Sequence, residues 1–241
     1  MTTPTLADPR LRPADAWREL ASRQKPAANV PWYMRVVNRR IGRAIASVAS
    51  PTRITPNGLT AASFVAFLAA SALLVLIEPG VAMAVAATLL LQLGFALDSA
   101  DGQLARLRGT GSRAGEWLDH VVDTARHLMF HLVVLVGLYR FTDVADAVLL
   151  LPMAFAVVAV VRFFAQILAE QLADRGPAGT YPRRAAWIQA PADTGLNNLL
   201  VLLWPFTTAF LIGYAVFAVL NALLLGATLV RRYRELSRGS A

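Results

Sequence analysis

Residues 81–123, VAMAVAATLLLQLGFALDSADGQLARLRGTGSRAGEWLDHVVD, join a membrane-length apolar run to a cluster of acid. Asp98, Asp101, Glu116, Asp119 and Asp123 fall within 26 residues of a chain that has only 15 acidic residues in all. Spacings of three and four put Asp98 and Asp101 on one helix face, and Asp119 and Asp123 on one face of the next helix. Carboxylates crowded at close range repel one another, and burial raises that cost, so such a group persists where cations neutralise it. Divalent metal is the inference.

The surrounding chain is a membrane protein by composition. It is 56% hydrophobic with a mean hydropathy of +0.51, too apolar for a soluble domain of this size. Six apolar runs are long enough to cross a bilayer: Leu59–Ile77, Val81–Leu97, Trp117–Leu138, Ala147–Leu168, Leu196–Ile212 and Tyr214–Val230. The last two form one tract that Gly213 divides. The expected fold is all-α, with six transmembrane helices and an N-terminal interfacial helix. Its parts are a cytosolic N-terminal segment (1–53), a catalytic membrane domain (54–234) and a short cytosolic tail (235–241).

Charge sets the orientation. Ten Lys/Arg precede the first span, three lie in Arg106–Arg113, three in Arg175–Arg184 and four in Arg231–Arg238, while the Glu78–Gly80 turn has none. The positive-inside rule then places both termini and the acidic loop in the cytosol, with the protein multi-pass in the cell membrane. The net charge of +8 flanks spans, which suits anionic headgroups rather than nucleic acid. With no cysteine, disulfides and thiolate metal sites are excluded. Met1–Val30 is polar, has no apolar core typical of a cleavable signal, and suggests one short helix around Ala14–Ser22.

Pro31–Ser50 carries Tyr33, Val36, Val37, Ile41, Ala44, Ile45 and Val48 at helical spacing, opposite Arg35, Asn38, Arg39 and Arg43. That pattern suits a helix lying in the headgroup layer; a helix packed on a soluble partner is the alternative. Thr55 and Pro56 read as the cap and first residue of the next helix, and capping alone explains them. Asn57 and Thr60 could instead turn polar groups towards a ligand.

Aspartate oxygens suit Mg²⁺ or Mn²⁺, and Mg²⁺ prefers a few carboxylates completed by water and phosphate oxygens. Two ions held between two Asp pairs could grip a diphosphate and stabilise its leaving group. Gly102 leaves room for close approach, Arg106 can meet phosphate at the open end, and a carboxylate not fully engaged by metal could act as general base for an alcohol.

Asp98, Asp101, Gly102, Ala105, Arg106, Gly115, Asp119 and Asp123 together resemble the signature of the CDP-alcohol phosphatidyltransferases, and the likeness extends from about Thr55 to Arg231. The resemblance implies that Asp98 and Asp119 bridge two Mg²⁺ or Mn²⁺ ions, that Asp101 completes one site, and that Asp123 completes the other and serves as catalytic base. It implies that Gly102, Arg106 and Ser112 bind the CDP part, with Asn57 to Thr60 lining the nucleotide pocket. The implied reaction is attack of an alcohol on a CDP-linked donor with release of CMP, in phospholipid synthesis, by a homodimer among membrane lipids. Gly115-Glu116-x-x-Asp119-His120 is similar to the branch that uses CDP-choline or CDP-ethanolamine with diacylglycerol.

Three further features stay open. His127 and His131, four apart, could form a metal face, although packed neutral histidines are the cheaper reading. Arg162 stands within an apolar run with Gln166 and Glu170 on its face, as a functional residue, a partner of Glu170 or a snorkelling side chain. Arg126 could touch acceptor phosphate or restrain Asp123. A rival of another class is a cation transporter with an Asp-lined path, against which the acid lies at one surface only.

Overall fold

In the computed structural model residues 11–24, 30–172 and 189–238 are described, with residue 170 in its backbone alone. Two helices precede the membrane bundle. α1 (Pro13–Ser22) starts on a proline, whose missing N–H costs nothing in a first turn. A π-turn at Met34–Asn38 leads into α2 (Arg39–Ala49). Ala16 and Leu20 of α1 and Ala46 and Ala49 of α2 are buried against Ala100, Leu104 and Leu107. The face of α2 that packs on the acid-bearing helix is that of Gly42, Ala46 and Ala49, while Ile41, Ala44 and Val48 of the apolar stripe are exposed.

The bundle follows as α3 (Pro56–Leu76), α4 (Val81–Arg108), α5 (Arg113–Phe141), α6 (Asp146–Leu172), α7 (Thr194–Leu199, prolonged by a 3₁₀ turn over Leu200–Leu203) and α8 (Thr207–Arg238). Thr55 caps α3, its Oγ accepting from Gly58 N at 3.0 Å. α4 stops at Gly109, whose φ of 65° is the left-handed conformation that glycine adopts freely, and both Gly109 N and Thr110 N return to Ala105 O. α3 and α4 cross closely at Gly94: a β-carbon there would lie 3.0 Å from Ser63 O. Phe67, Leu74, Leu91, Val134, Phe155, Phe210 and Tyr214 fill the core.

The expectation of six spanning helices is corrected here. Among the described residues five helices are long and apolar enough to cross a membrane: α3, α4, α5, α6 and α8. The run Leu196–Ile212 breaks instead at Trp204–Phe206. Pro205 has no N–H to continue the ladder, and Trp204 N and Phe206 N each bond three residues back, to Val201 O and Leu203 O, so the helix begun at Thr194 ends at Leu203. Ten residues extend about 15 Å, half of the roughly 30 Å hydrocarbon layer. Thr207–Ile212 join α8, which runs through Gly213 unbroken, and a β-carbon on that glycine would lie 3.1 Å from Leu200 Cδ2.

α7 is fixed at its start by buried Asp193, which accepts from Gly195 N at 3.0 Å and from Met34 N at 2.9 Å. Burial raises the Asp193 carboxyl above its usual range, and these backbone donors partly offset it. α6 and α8 are parallel: Phe155 packs against Tyr214 with the rings tilted, and further along Arg162 and Asn221 both donate to the Pro191–Ala192 turn. α7 lies between these two helices in the chain and supplies none of the spans.

Candidate active site

The acidic residues occupy the last three turns of α4 and the first three of α5, which meet at one end of the bundle. Ser112 starts α5 by accepting from Gly115 N at 3.0 Å, so its hydroxyl serves as a helix cap. Gly115 is small where Asn57 approaches; a β-carbon would stand 3.5 Å from Asn57 Oδ1. The start of α3 thus faces the start of α5 across the mouth of the cleft.

Carboxylate oxygens of Asp98, Asp119 and Asp123 lie within 4.8 Å of one another, all three residues half-buried. Arg126, one turn beyond Asp123, donates from Nη1 to Asp98 at 2.5 Å and to Asp123 at 3.2 Å, and from Nη2 to Ser63 Oγ at 2.6 Å. Asp101 is not in that triad. Only 6% exposed, it accepts from Thr60 Oγ at 2.5 Å and from the peptide N–H of Gly102. Gly102 borders Arg106, whose Nη1 is 3.3 Å from where a β-carbon would be. Arg106 O accepts from Arg23 of the N-terminal segment.

Three hard oxygen donors at this range fit a divalent cation such as Mg²⁺ or Mn²⁺. The fit has a marker within the structure: the Arg126 guanidinium already draws Asp98 and Asp123 together, as a bound cation would. Arg126 therefore restrains the carboxylates, the second of its two sequence readings. Ser63 was not singled out in the sequence, although Asn57, Thr60 and Ser63 recur every three residues on one face of α3.

The histidines form no metal face. His127 Nδ1 meets Asp123 O at 2.7 Å while its ring stacks on Phe163 at 4.6 Å, and His131 Nδ1 pairs with Tyr214 OH at 2.6 Å. Glu116 is exposed, and His120 lies edge-on to Phe163. Arg162 donates to Ala192 O at 3.3 Å; a pair with the Glu170 side chain lies outside the described residues.

Fold and cleft define a polytopic helical membrane protein with a hard-cation site at one end of its bundle. The model of the CDP-alcohol phosphatidyltransferase family matches residues 53–230, most of the chain, and the protein belongs to that family. It is thus a membrane enzyme that transfers a substituted phosphate from a CDP-linked donor. Among solved structures it is similar to Mycobacterium tuberculosis phosphatidylinositol phosphate synthase (PgsA1) with CDP-DAG bound, at 21% identity and a TM-score of 0.54 over 83% of this chain and 93% of that one. A second structure of the same synthase, in complex with manganese and citrate, gives 21% identity and a TM-score of 0.52 over 83% and 88%. These likenesses establish the fold. No curated protein matches the sequence.

Proposed function

We propose that the cleft holds the diphosphate of CDP-diacylglycerol, and that an alcohol attacks its phosphatidyl phosphorus, forming a new P–O bond as the bond to CMP breaks. The observation that carries this reading is the convergence of Asp98, Asp119 and Asp123 within 4.8 Å where α4 meets α5. Asp98 and Asp119 would bridge two Mg²⁺ or Mn²⁺ ions, with Asp123 on one and Asp101 on the other. Asp101, turned towards Thr60, is the least direct of the four ligands. Cations bound there would offset charge on the donor diphosphate and on departing CMP.

The chain's own groups do the rest. An Asp123 carboxylate oxygen takes the proton of the attacking hydroxyl, and Arg126 keeps that carboxylate aimed along the cleft. Arg106 meets a donor phosphate, with Gly102 leaving space beside its guanidinium. Asn57, Thr60 and Ser112 line the nucleotide end, Asn57 and Ser112 both lying against Gly115. In this reading residues 54–234 form the catalytic domain of a homodimer, served by the N-terminal segment. Both termini and the cleft face the cytosol, supported by the parallel run of α6 and α8 and by the arginines at the cleft end.

The test is CMP release by purified protein given CDP-diacylglycerol or CDP-choline, Mn²⁺ or Mg²⁺ and a panel of alcohols. Acceptor-dependent CMP from CDP-diacylglycerol is expected. Acceptor-dependent CMP from CDP-choline with diacylglycerol alone would replace the donor assignment. No CMP from any pair, with cation flux in liposomes, would replace the reaction itself.

A further inference from the structure

Arg108 ends α4 and belongs to none of the motif positions, yet its guanidinium is among the most engaged groups at the mouth of the cleft. Nη1 donates to Ile54 O at 2.5 Å, while Nη2 donates to Ala49 O at 2.9 Å, Ser50 O at 3.1 Å and Thr52 O at 2.9 Å. Those carbonyls belong to the end of α2 and the linker that joins it to α3. Within the linker the chain's own bonds are few: Thr52 N and Oγ return to Ala49 O, and Ile54 N meets Thr52 Oγ. One side chain therefore gathers carbonyls from Ala49 to Ile54 onto the end of the acid-bearing helix.

The residues following the linker face the cleft. Thr55 caps α3, Asn57 approaches Gly115, and Thr60 donates to Asp101. The opposite wall, Gly102 and Arg106, lies on the last turns of α4, two residues before Arg108. The span of the cleft between these walls depends on where the linker is held, and Arg108 holds it. The carboxylates of Asp98, Asp119 and Asp123 gather between α4 and α5, where Arg126 rather than Arg108 holds Asp98 and Asp123.

We propose that Arg108 is a positioning residue for the donor: by fixing carbonyls 49–54 it sets the start of α3 against α4 and so the width of the nucleotide-binding mouth. This rests on the function proposed above. A merely structural clamp would, when lost, weaken everything the site binds. A positioning clamp for the mouth separates nucleotide from metal.

The experiment is calorimetric titration of the full chain in detergent with Mn²⁺ alone, and then with CDP in saturating Mn²⁺, for wild type, Arg108→Ala and Arg108→Lys. Arg108→Ala should weaken CDP binding about tenfold and leave Mn²⁺ binding within about twofold, because the charge-assisted bonds it loses lie at the mouth. Arg108→Lys, which keeps a cation but not a fork reaching several carbonyls, should lie between the two. It carries the test should the alanine variant not survive purification. Unchanged CDP affinity in both variants, or equal losses for CDP and Mn²⁺, would overturn the inference while leaving the enzyme reading in place. A wild type that binds Mn²⁺ but no CDP would overturn both.

Discussion

The Arg126 guanidinium meets the Asp98 carboxylate across the α4–α5 boundary at 2.5 Å, with only 12% and 14% of the two side chains exposed. Arg126 is shared with Asp123 at 3.2 Å, so a single cation offsets two carboxylates. Removing it leaves both acids sheltered and uncompensated. Arg126→Ala should cost about 3 kcal/mol of stability in chelator. Mn²⁺ supplies the missing positive charge and should restore much of that loss. Thermal unfolding with EDTA and with Mn²⁺ measures the difference; an equal loss in both would contradict the role given to Arg126.

Asp98→Asn and Asp119→Asn should each lower CMP release by about a thousandfold or more, since an amide supplies neither the charge nor the bridging oxygens a metal requires. Wild-type turnover should vanish with chelator and return with added Mg²⁺ or Mn²⁺. Full activity in chelator would remove metal from the reaction.

Asp123→Asn separates chemistry from binding. CDP affinity should remain measurable while CMP release falls at least about a hundredfold with every acceptor, the scale of a lost general base. A variant that loses CDP binding and turnover in proportion would make Asp123 a ligand without a proton-transfer role.

Arg106→Ala should raise the donor KM about tenfold with a smaller change in kcat, through loss of a charge-assisted phosphate contact. Gly102→Ala should act in the same direction and more weakly, since its β-carbon would come 3.3 Å from Arg106 Nη1 and displace a flexible tip. An unchanged donor KM in the Arg106 variant would locate phosphate elsewhere.

Thr60→Val should cost about 1–3 kcal/mol in thermal unfolding, as it leaves the buried Asp101 carboxylate with only its neighbouring peptide N–H among these partners. Thr60→Ser, which keeps the hydroxyl, should unfold close to wild type. Equal losses in both would place the effect in packing of the methyl group rather than in the hydrogen bond.

Some of this protein is determined locally, and the sequence alone determines it. Apolar length marks α3 to α6 and α8 as membrane helices, because a helix satisfies its own backbone hydrogen bonds in hydrocarbon whatever surrounds it. Thr55-Pro56 marks a helix start through contacts spanning only a few residues. Asp119 and Asp123 share a face because helical periodicity is a property of one helix. The eight signature residues mark the family for the same reason, being a pattern along the chain.

What the tertiary structure decided depends on how one helix is rotated and docked against another, which local spacing leaves open. Asp98 and Asp101 are one turn apart, yet Asp98 turns to α5 and joins Asp119 and Asp123, whereas Asp101 turns to Thr60 on α3. The close α3–α4 crossing at Gly94 and Ser63 helps set that division. The fifth apolar run, Leu196–Ile212, had the composition of a span but not the conformation. Composition counts apolar residues, while Pro205 and the Asp193 cap confine the helix to Thr194–Leu203, and only packing against the core shows that α8 begins at Thr207 rather than beyond Gly213. Arg108 is silent in the sequence, and the second carboxylate that Arg126 holds, Asp98, is equally so, because the fold brings those carbonyls and that carboxylate to them from distant parts of the chain.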